Sequence, residues 1–318
     1  MITFENVTKV YEGGTKAVNS VSFTIDKGEF FVLIGPSGSG KTTTLKMMNR
    51  LIALTDGTIS IDGININDYK IDELRWNMGY VLQQIALFPH MTIEENISIV
   101  PELKQWKKEK IRKRVDELLE MVGLEPDIYR NRMPNELSGG QQQRIGVIRA
   151  LAANPEIVLM DEPFSALDPI SRERLQDDML QLKEKINKTI VFVTHDINEA
   201  VKLADRICLM KDGKIVQLGT PEELLTNPAN DFVRNFVSGV HHKSHDFNLE
   251  KLIHPLNGQT RPNEKAVPVS APLEDILHEL AEHDRLTVEE NGIPIGVIDR
   301  QGLIQHLSQH IEGRDGIE

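Results

Sequence analysis

The eight residues GPSGSGKT, Gly35 to Thr42, constrain this chain more than any other stretch. They follow the apolar run FFVLI and precede TTLKMMNRL, whose apolar spacing is helical. A strand, a glycine-rich loop and a helix in that order form a cradle for phosphates, because glycines let the backbone wrap tightly and the helix N-terminus supplies partial positive charge. In it Gly35, Pro36, Ser37, Gly38, Ser39 and Gly40 are the wrapping residues. Lys41 reaches the β and γ phosphates, and Thr42, followed by Thr43, offers a hydroxyl to Mg²⁺. The expected ligands are a nucleoside triphosphate and Mg²⁺.

Short apolar runs recur at Phe30–Ile34, Ile157–Met160, Thr189–Val193 and Arg206–Met210, with helical patterns between them. That alternation predicts an α/β domain over 1–237 with a largely parallel sheet around the P-loop. A helical insertion is expected at about 90–150, since no strand-like run lies between Glu94 and Leu137 and Lys107–Leu124 fits an amphipathic helix stopped at Gly123. Near Ser238 the sequence turns polar and loses its apolar period, so 238–265 reads as a linker. Residues 266–310 read as a small α+β module: a helix at Leu273–Leu280, then strands Leu286–Glu289 and Ile295–Ile298 joined by Asn291-Gly292. Residues 311–318 form a tail.

A formal net charge of −12 over 318 residues argues against a general nucleic-acid binder, and 40% hydrophobic residues suffice for a packed core. The basic run Lys104–Arg114 reads as a solvated helix face. The single cysteine, Cys208, excludes an intrachain disulfide, the start MITFENVTKV lacks the features of a signal peptide, and no run approaches the roughly 20 apolar residues that span a bilayer. A cytosolic address is expected, with any membrane spanning left to other chains.

Chemistry collects at strand ends. IVLMDEP ends in Asp161, placed to hold Mg²⁺, and then Glu162, placed to orient and deprotonate water. Gln83, after the run GYVL, can reach the metal or the attacking water through its amide, His195 closes the run IVFVTH, and Tyr11 can stack on a base. A second anion site is written in NELSGGQQQR, where Ser138 caps a helix that begins Gly139-Gly140-Gln141 and leaves backbone N–H groups open.

Together GPSGSGKT, Gln83, LSGGQQQR, LMDEP, SALD and Thr194-His195, in this order, resemble the ATP-binding subunit of an ABC transporter, over about residues 1–237. The resemblance implies an ATP hydrolase that dimerises head to tail. In such a dimer Ser138, Gly139, Gly140 and Gln141 of one copy cap the γ-phosphate on the other, Asp168 of SALD links the two sites, His195 contacts the γ-phosphate and Tyr11 stacks on adenine. It also implies an integral membrane permease and an extracytoplasmic substrate-binding protein as partners, no nucleic acid, and a peripheral place on the cytoplasmic face of the membrane. DNA-repair members carry a long coiled coil between the P-loop and the LSGG segment; here only 138 − 41 = 97 residues separate Lys41 from Ser138. Within the family, ELRWNMGYVLQQIALFPHMTIEENI and VEENGIPIGVIDRQGL look like osmoprotectant importers for glycine betaine, carnitine or choline, with importers of another small solute and a soluble ATPase as the alternatives. Ile85, Leu87 and Phe88 are expected to be partly exposed for permease docking. The tail Val267–Gln309 resembles a single CBS module, which either shares a ligand site with a second copy or serves dimerisation alone.

Overall fold

The computed structural model describes residues 1–84, 86–165, 167–185, 188–241, 253–254, 265–269, 273–290 and 293–303. The chain divides into two compact units, Met1–Val237 and Ser238–Glu318. Most of the expected linker and all of the tail 311–318 lie outside the described residues.

In the first unit the strands run β1 (Ile2–Val10), β2 (Lys16–Ile25), β3 (Phe30–Ile34), β4 (Asp56–Ile61), β5 (Ile64–Asn65), β6 (Met78–Val81), β7 (Ile157–Asp161), β8 (Thr189–Thr194), β9 (Arg206–Lys211) and β10 (Lys214–Gly219). Six of them form one sheet in the order β10-β9-β3-β8-β7-β6. All its neighbours pair in parallel except β10, which returns antiparallel to β9. β3, β7 and β8 are buried along their whole length, which is why they read in the sequence as unbroken apolar runs. A parallel sheet with helical crossovers places the C-terminal ends of its strands along one edge, where open α/β sheets hold ligands.

The other sheet, β2-β1-β4-β5, is antiparallel. Its register shifts at Phe4/Val7, Val7/Lys9 and Lys9/Val10 break the simple period of two. The two sheets share a core through stacked rings, Phe4 on Phe23 at 4.3 Å and Phe23 on Phe31 at 5.4 Å. Phe31 and Leu33 of β3 face that core, while Phe30 meets Phe192 on the opposite face, so alternation along one strand fixes both layers. Burying each such ring contributes about 2–3 kcal/mol.

Helices fill the interval from residue 93 to 151: Ile93–Leu103, Lys108–Met121, the short turn Pro126–Tyr129, and Gly139–Leu151. Lys108–Met121 buries Ile111, Val115, Leu118 and Leu119 on one stripe. It ends where Gly123 takes φ +69 and Leu124 N–H donates to Leu119 C=O at 2.9 Å. One expectation about exposure is corrected. Leu87 is buried, whereas Phe88 is 52% exposed; Ile85 lies outside the described residues. The buried Asn96 clamps the Phe88 backbone from both sides, accepting from its N–H at 2.8 Å and donating to its C=O at 3.1 Å, and the pinned chain turns Leu87 inward.

The second unit contains a sheet in the order β11-β12-β13, made of β11 (Ala266–Pro268), β12 (Arg285–Glu290) and β13 (Ile293–Asp299). β11 and β12 are parallel, and β12 and β13 antiparallel. The helix Leu273–Glu282 packs Ile276 and Leu280 with Val267, Leu286, Val288 and Ile298. The residues Asn291 and Gly292 lie outside the described set.

Candidate functional site

The loop after β3 is built around close backbone approaches. Gly35 and Gly40 lie at φ +149 and +100; a Cβ on either would overlap a main-chain oxygen, of Met210 or of Ala17. The loop closes on itself through Ser39 N–H to Pro36 C=O at 3.2 Å and opens into the helix Lys41–Met48 with Thr44 N–H to Gly40 C=O at 2.8 Å. Lys41 is buried, and its Nζ donates to the carbonyls of Gly35 at 2.8 Å and Pro36 at 3.0 Å. Burial pushes its ammonium below the ordinary lysine range, against the opposing pull of Glu162 and Asp161. The Ser39 hydroxyl is buried with no hydrogen-bond partner among the described residues. An orphaned hydroxyl beside a caged ammonium fits an anion that takes both, and buried polar groups of this kind are otherwise paired.

Because β7 and β8 run parallel to β3, their C-terminal residues arrive beside this loop. Thr42 Oγ1 donates to Asp161 Oδ1 at 2.8 Å. Two groups that the sequence did not single out hold the other oxygen: Tyr80 OH donates to Asp161 Oδ2 at 3.4 Å, and Lys46 Nζ lies 3.8 Å from it. Burial, then the Asp161 charge, pushes the Tyr80 phenol well above its usual range, so it stays a donor. The chemistry of the donor set suits Mg²⁺, a hard cation that takes one or two carboxylates, a hydroxyl, phosphate oxygens and water. Gln83 lies exposed two residues beyond Val81, the end of the strand beside β7.

Glu162 follows at φ 45, a left-handed conformation that a non-glycine residue adopts only when its surroundings hold it. Its N–H donates to Val193 C=O at 3.0 Å, and its C=O accepts from Ser165 N–H at 3.2 Å and Ser165 Oγ at 3.0 Å. The carboxylate is thereby aimed at His195, whose Nδ1 lies 3.1 Å from Glu162 Oε2. Tyr11 is 40% exposed at the rim, its hydroxyl 3.5 Å from Thr43 Oγ1 and its ring 5.2 Å from Lys9 Nζ.

The Ser138 helix cap forms as its sequence predicts, and its glycine turn stands apart. Ser138 caps the helix Gly139–Leu151 in a reciprocal box: its Oγ accepts from Gln141 N–H at 3.3 Å, and Gln141 Oε1 accepts from Ser138 N–H at 3.0 Å. Gln141 also donates to Tyr129 OH at 3.1 Å. The N–H groups of Gly139 and Gly140 face no helical partner at this terminus. Among the described residues no hydrogen bond or ion pair joins this turn to the Gly35–Thr43 loop. Asp168 is exposed and accepts from Ser171 N–H at 3.0 Å; hydrogen bonds from Ser171 hold its carboxyl below the usual range.

Such a phosphate loop, with an aspartate and a glutamate at the end of a parallel strand of the same sheet and a separate capped glycine turn, defines a P-loop ATPase. The family model described as ABC transporter matches residues 18–165. The glycine betaine/carnitine/choline transport ATP-binding protein of Bacillus subtilis is 51% identical over 312 residues, 96% of this chain and 77% of that protein. The osmoprotectant import ATP-binding protein of Salmonella typhimurium is 48% identical over 95% of this chain and 80% of its own length. The choline transport ATP-binding protein of Bacillus subtilis is 59% identical over 74% of this chain, which spans 62% of that relative. Among solved structures, a dimeric bacterial ABC transporter cassette superposes with a TM-score of 0.62 at 41% identity, covering 70% of this chain and 99% of the cassette. The chain belongs to the ABC transporter family. It is an ATP-hydrolysing cassette whose cofactors are ATP and Mg²⁺, and among the described residues no helix is long and apolar enough to cross a membrane.

Proposed function

We propose that this chain energises import of quaternary-amine osmoprotectants by hydrolysing ATP at a site it shares with a second copy. The observation that carries the chemistry is the Thr42–Asp161 contact beside the Glu162–His195 pair, which gathers hydroxyl, metal carboxylate and base around the Lys41 loop. The glycine betaine, carnitine and choline named for the relatives support the solute class.

In this reading the backbone of Gly35–Gly40, with Ser39 and Lys41, holds the phosphates, Thr43 continues the helix start beneath them, and Tyr11 stacks on the base. Thr42, Asp161 and Gln83 would hold Mg²⁺, which would supply positive charge to neutralise the phosphate oxygens. Tyr80 and Lys46 keep Asp161 in place through its second oxygen. Glu162 orients and deprotonates the attacking water, a role worth roughly 10²–10⁴-fold in rate. His195 holds the Glu162 carboxylate in position and contacts the γ-phosphate. Among the described residues Ser138, Gly139, Gly140 and Gln141 have no bond to the Gly35–Thr43 loop of their own chain. They close the site of a second copy, with Asp168 at the junction, in keeping with the dimeric cassette.

A groove of about 570 Å³ lies between β6 and the helices, walled by Leu51, Trp76, Leu82, Phe88 and Leu103, each at least 37% exposed. An apolar concavity of this size takes an amphipathic helix. We assign it to the cytoplasmic segment of a membrane permease, which places the chain peripherally on the cytoplasmic face, with an extracytoplasmic binding protein selecting the solute.

The test is uptake of labelled glycine betaine, carnitine and choline by cells carrying this chain or Glu162→Gln with their own membrane partners. Uptake present in the native chain and lost in the variant is expected. Equal uptake of all three solutes in both removes the osmoprotectant assignment.

A further inference from the structure

Two charged residues that the hydrolytic reading leaves unused sit between the Leu167–Asp168 turn and His195. Arg172 belongs to the helix Pro169–Lys185. Its Nη2 donates to Leu167 C=O at 3.2 Å, while its main-chain N–H makes the first-turn helical bond to Asp168 C=O at 2.9 Å. Its Nε is buried and makes no hydrogen bond among the described residues. Glu199, on the helix Ile197–Leu203, is 5% exposed. It accepts a short hydrogen bond from the Thr194 hydroxyl, and that hydroxyl in turn accepts from Asp196 N–H at 3.0 Å. Thr194 and Asp196 flank His195, so Glu199 governs the backbone on which the imidazole is mounted.

Arg172 and Glu199 both line a small, mostly enclosed cavity of about 40 Å³, also lined by Glu162, Thr194 and His195. That volume accommodates about one water. The Arg172 guanidinium and the Glu199 carboxylate, both residues of its lining, are the polar partners such a water needs. Burial pushes the Glu199 carboxyl up, and the Arg172 charge opposes the rise, so the two groups are electrostatically linked.

We propose that Arg172 and Glu199 are positioning residues which, through one bridging water, couple the Leu167–Asp168 turn to His195 and thence to Glu162. The inference rests on the hydrolytic reading and adds a route by which the second copy, meeting the chain at Asp168, sets the geometry of the base. Arg172 senses the turn through its Nη2 bond to the Leu167 carbonyl. Glu199 transmits to Thr194, and Thr194 fixes the turn that carries His195.

The experiment measures steady-state ATP hydrolysis by the full chain with Mg²⁺. Arg172→Met and Glu199→Ala each lower kcat about 3- to 30-fold while KM for ATP changes little. The double variant is no slower than the slower single one, because both break the same link. Glu199→Gln keeps an oxygen for Thr194 and the water and restores most of the rate. In a His195→Ala background Glu199→Ala adds no further loss, an outcome that a merely structural role would not produce. Should Glu199→Ala fail to fold, Arg172→Met and its combination with His195→Ala carry the same expectation. Multiplying losses in the double variant, or a further loss in the His195→Ala background, overturns the coupling. Native kcat in both single variants with Glu162→Gln inactive overturns the coupling alone, whereas normal turnover by Glu162→Gln overturns the hydrolytic reading and the coupling together.

Discussion

Gly40→Ala separates two costs that the phosphate loop imposes on its own sequence. The residue sits at φ +100, so an alanine there carries strain of about 1–2 kcal/mol. Its Cβ would also overlap the Ala17 carbonyl oxygen and press on Val18 Cγ2 at 3.3 Å. The obstacle is strand backbone in β2, which cannot swing aside as a side-chain tip can, and such overpacking adds about 1–3 kcal/mol. Gly38 is the internal control, because it has φ +78 but a Cβ added there would meet nothing within 4 Å. Gly38→Ala therefore carries the strain alone. In thermal unfolding without nucleotide, with about 2–4 °C lost per kcal/mol in a unit of this size, Gly38→Ala should fall by a few degrees and Gly40→Ala by about 5–15 °C. Equal losses in the two variants would refute the reasoning, since they would mean that β2 yields freely to the loop.

Glu162→Gln keeps the backbone and the side-chain shape, so stability should hold and ATP should still bind, while phosphate release falls roughly 10²–10⁴-fold; normal release removes Glu162 as the base. Phe88→Ser, on an exposed ring of the apolar groove, should abolish osmoprotectant uptake while leaving hydrolysis by the isolated chain unchanged; undiminished uptake argues against docking there. Glu29 and Glu199 are both pushed above their ordinary 4.5, in each case chiefly by burial. The folded state then holds protons that the unfolded state releases, so the stability from these groups is full below pH 4.5 and is lost as pH rises through the raised values. Glu199→Gln should flatten that fall in a series of melting curves, and an unchanged slope would show that Glu199 does not contribute to it.

The central sheet was legible because burial on both faces removes polar residues from a strand, leaving runs such as FFVLI and IVLMD with visible ends. The Ser138 cap and the Gly123 stop were legible for a similar reason: each is satisfied by residues within five positions in the chain. The antiparallel sheet was not foreseen. β1 reads ITFENVTKV, and its bulges shift the inward face after Phe4, so no single period survives. β11 has only three residues, too few to carry a pattern, and its place comes from pairing with β12. At the site, Asp161, Glu162 and His195 announced themselves as polar endings of apolar runs. Tyr80, Lys46, Arg172 and Glu199 did not, because each acquires its partner only when separate elements meet: Tyr80 is 81 positions from Asp161, and Arg172 and Glu199 lie on different helices.

The Lys41 ammonium, caged by the Gly35 and Pro36 carbonyls, bears on how nucleotide is captured and let go. An ammonium already satisfied gains from phosphate only the difference between a charge-assisted bond and the two carbonyl bonds it gives up. Capture is then a trade of partners and not a fresh bond, and the loop has a resting geometry to fall back into once phosphate departs. A cassette that must release its product every cycle is served by a grip of this kind, firm while the anion is present and self-sealing once it leaves.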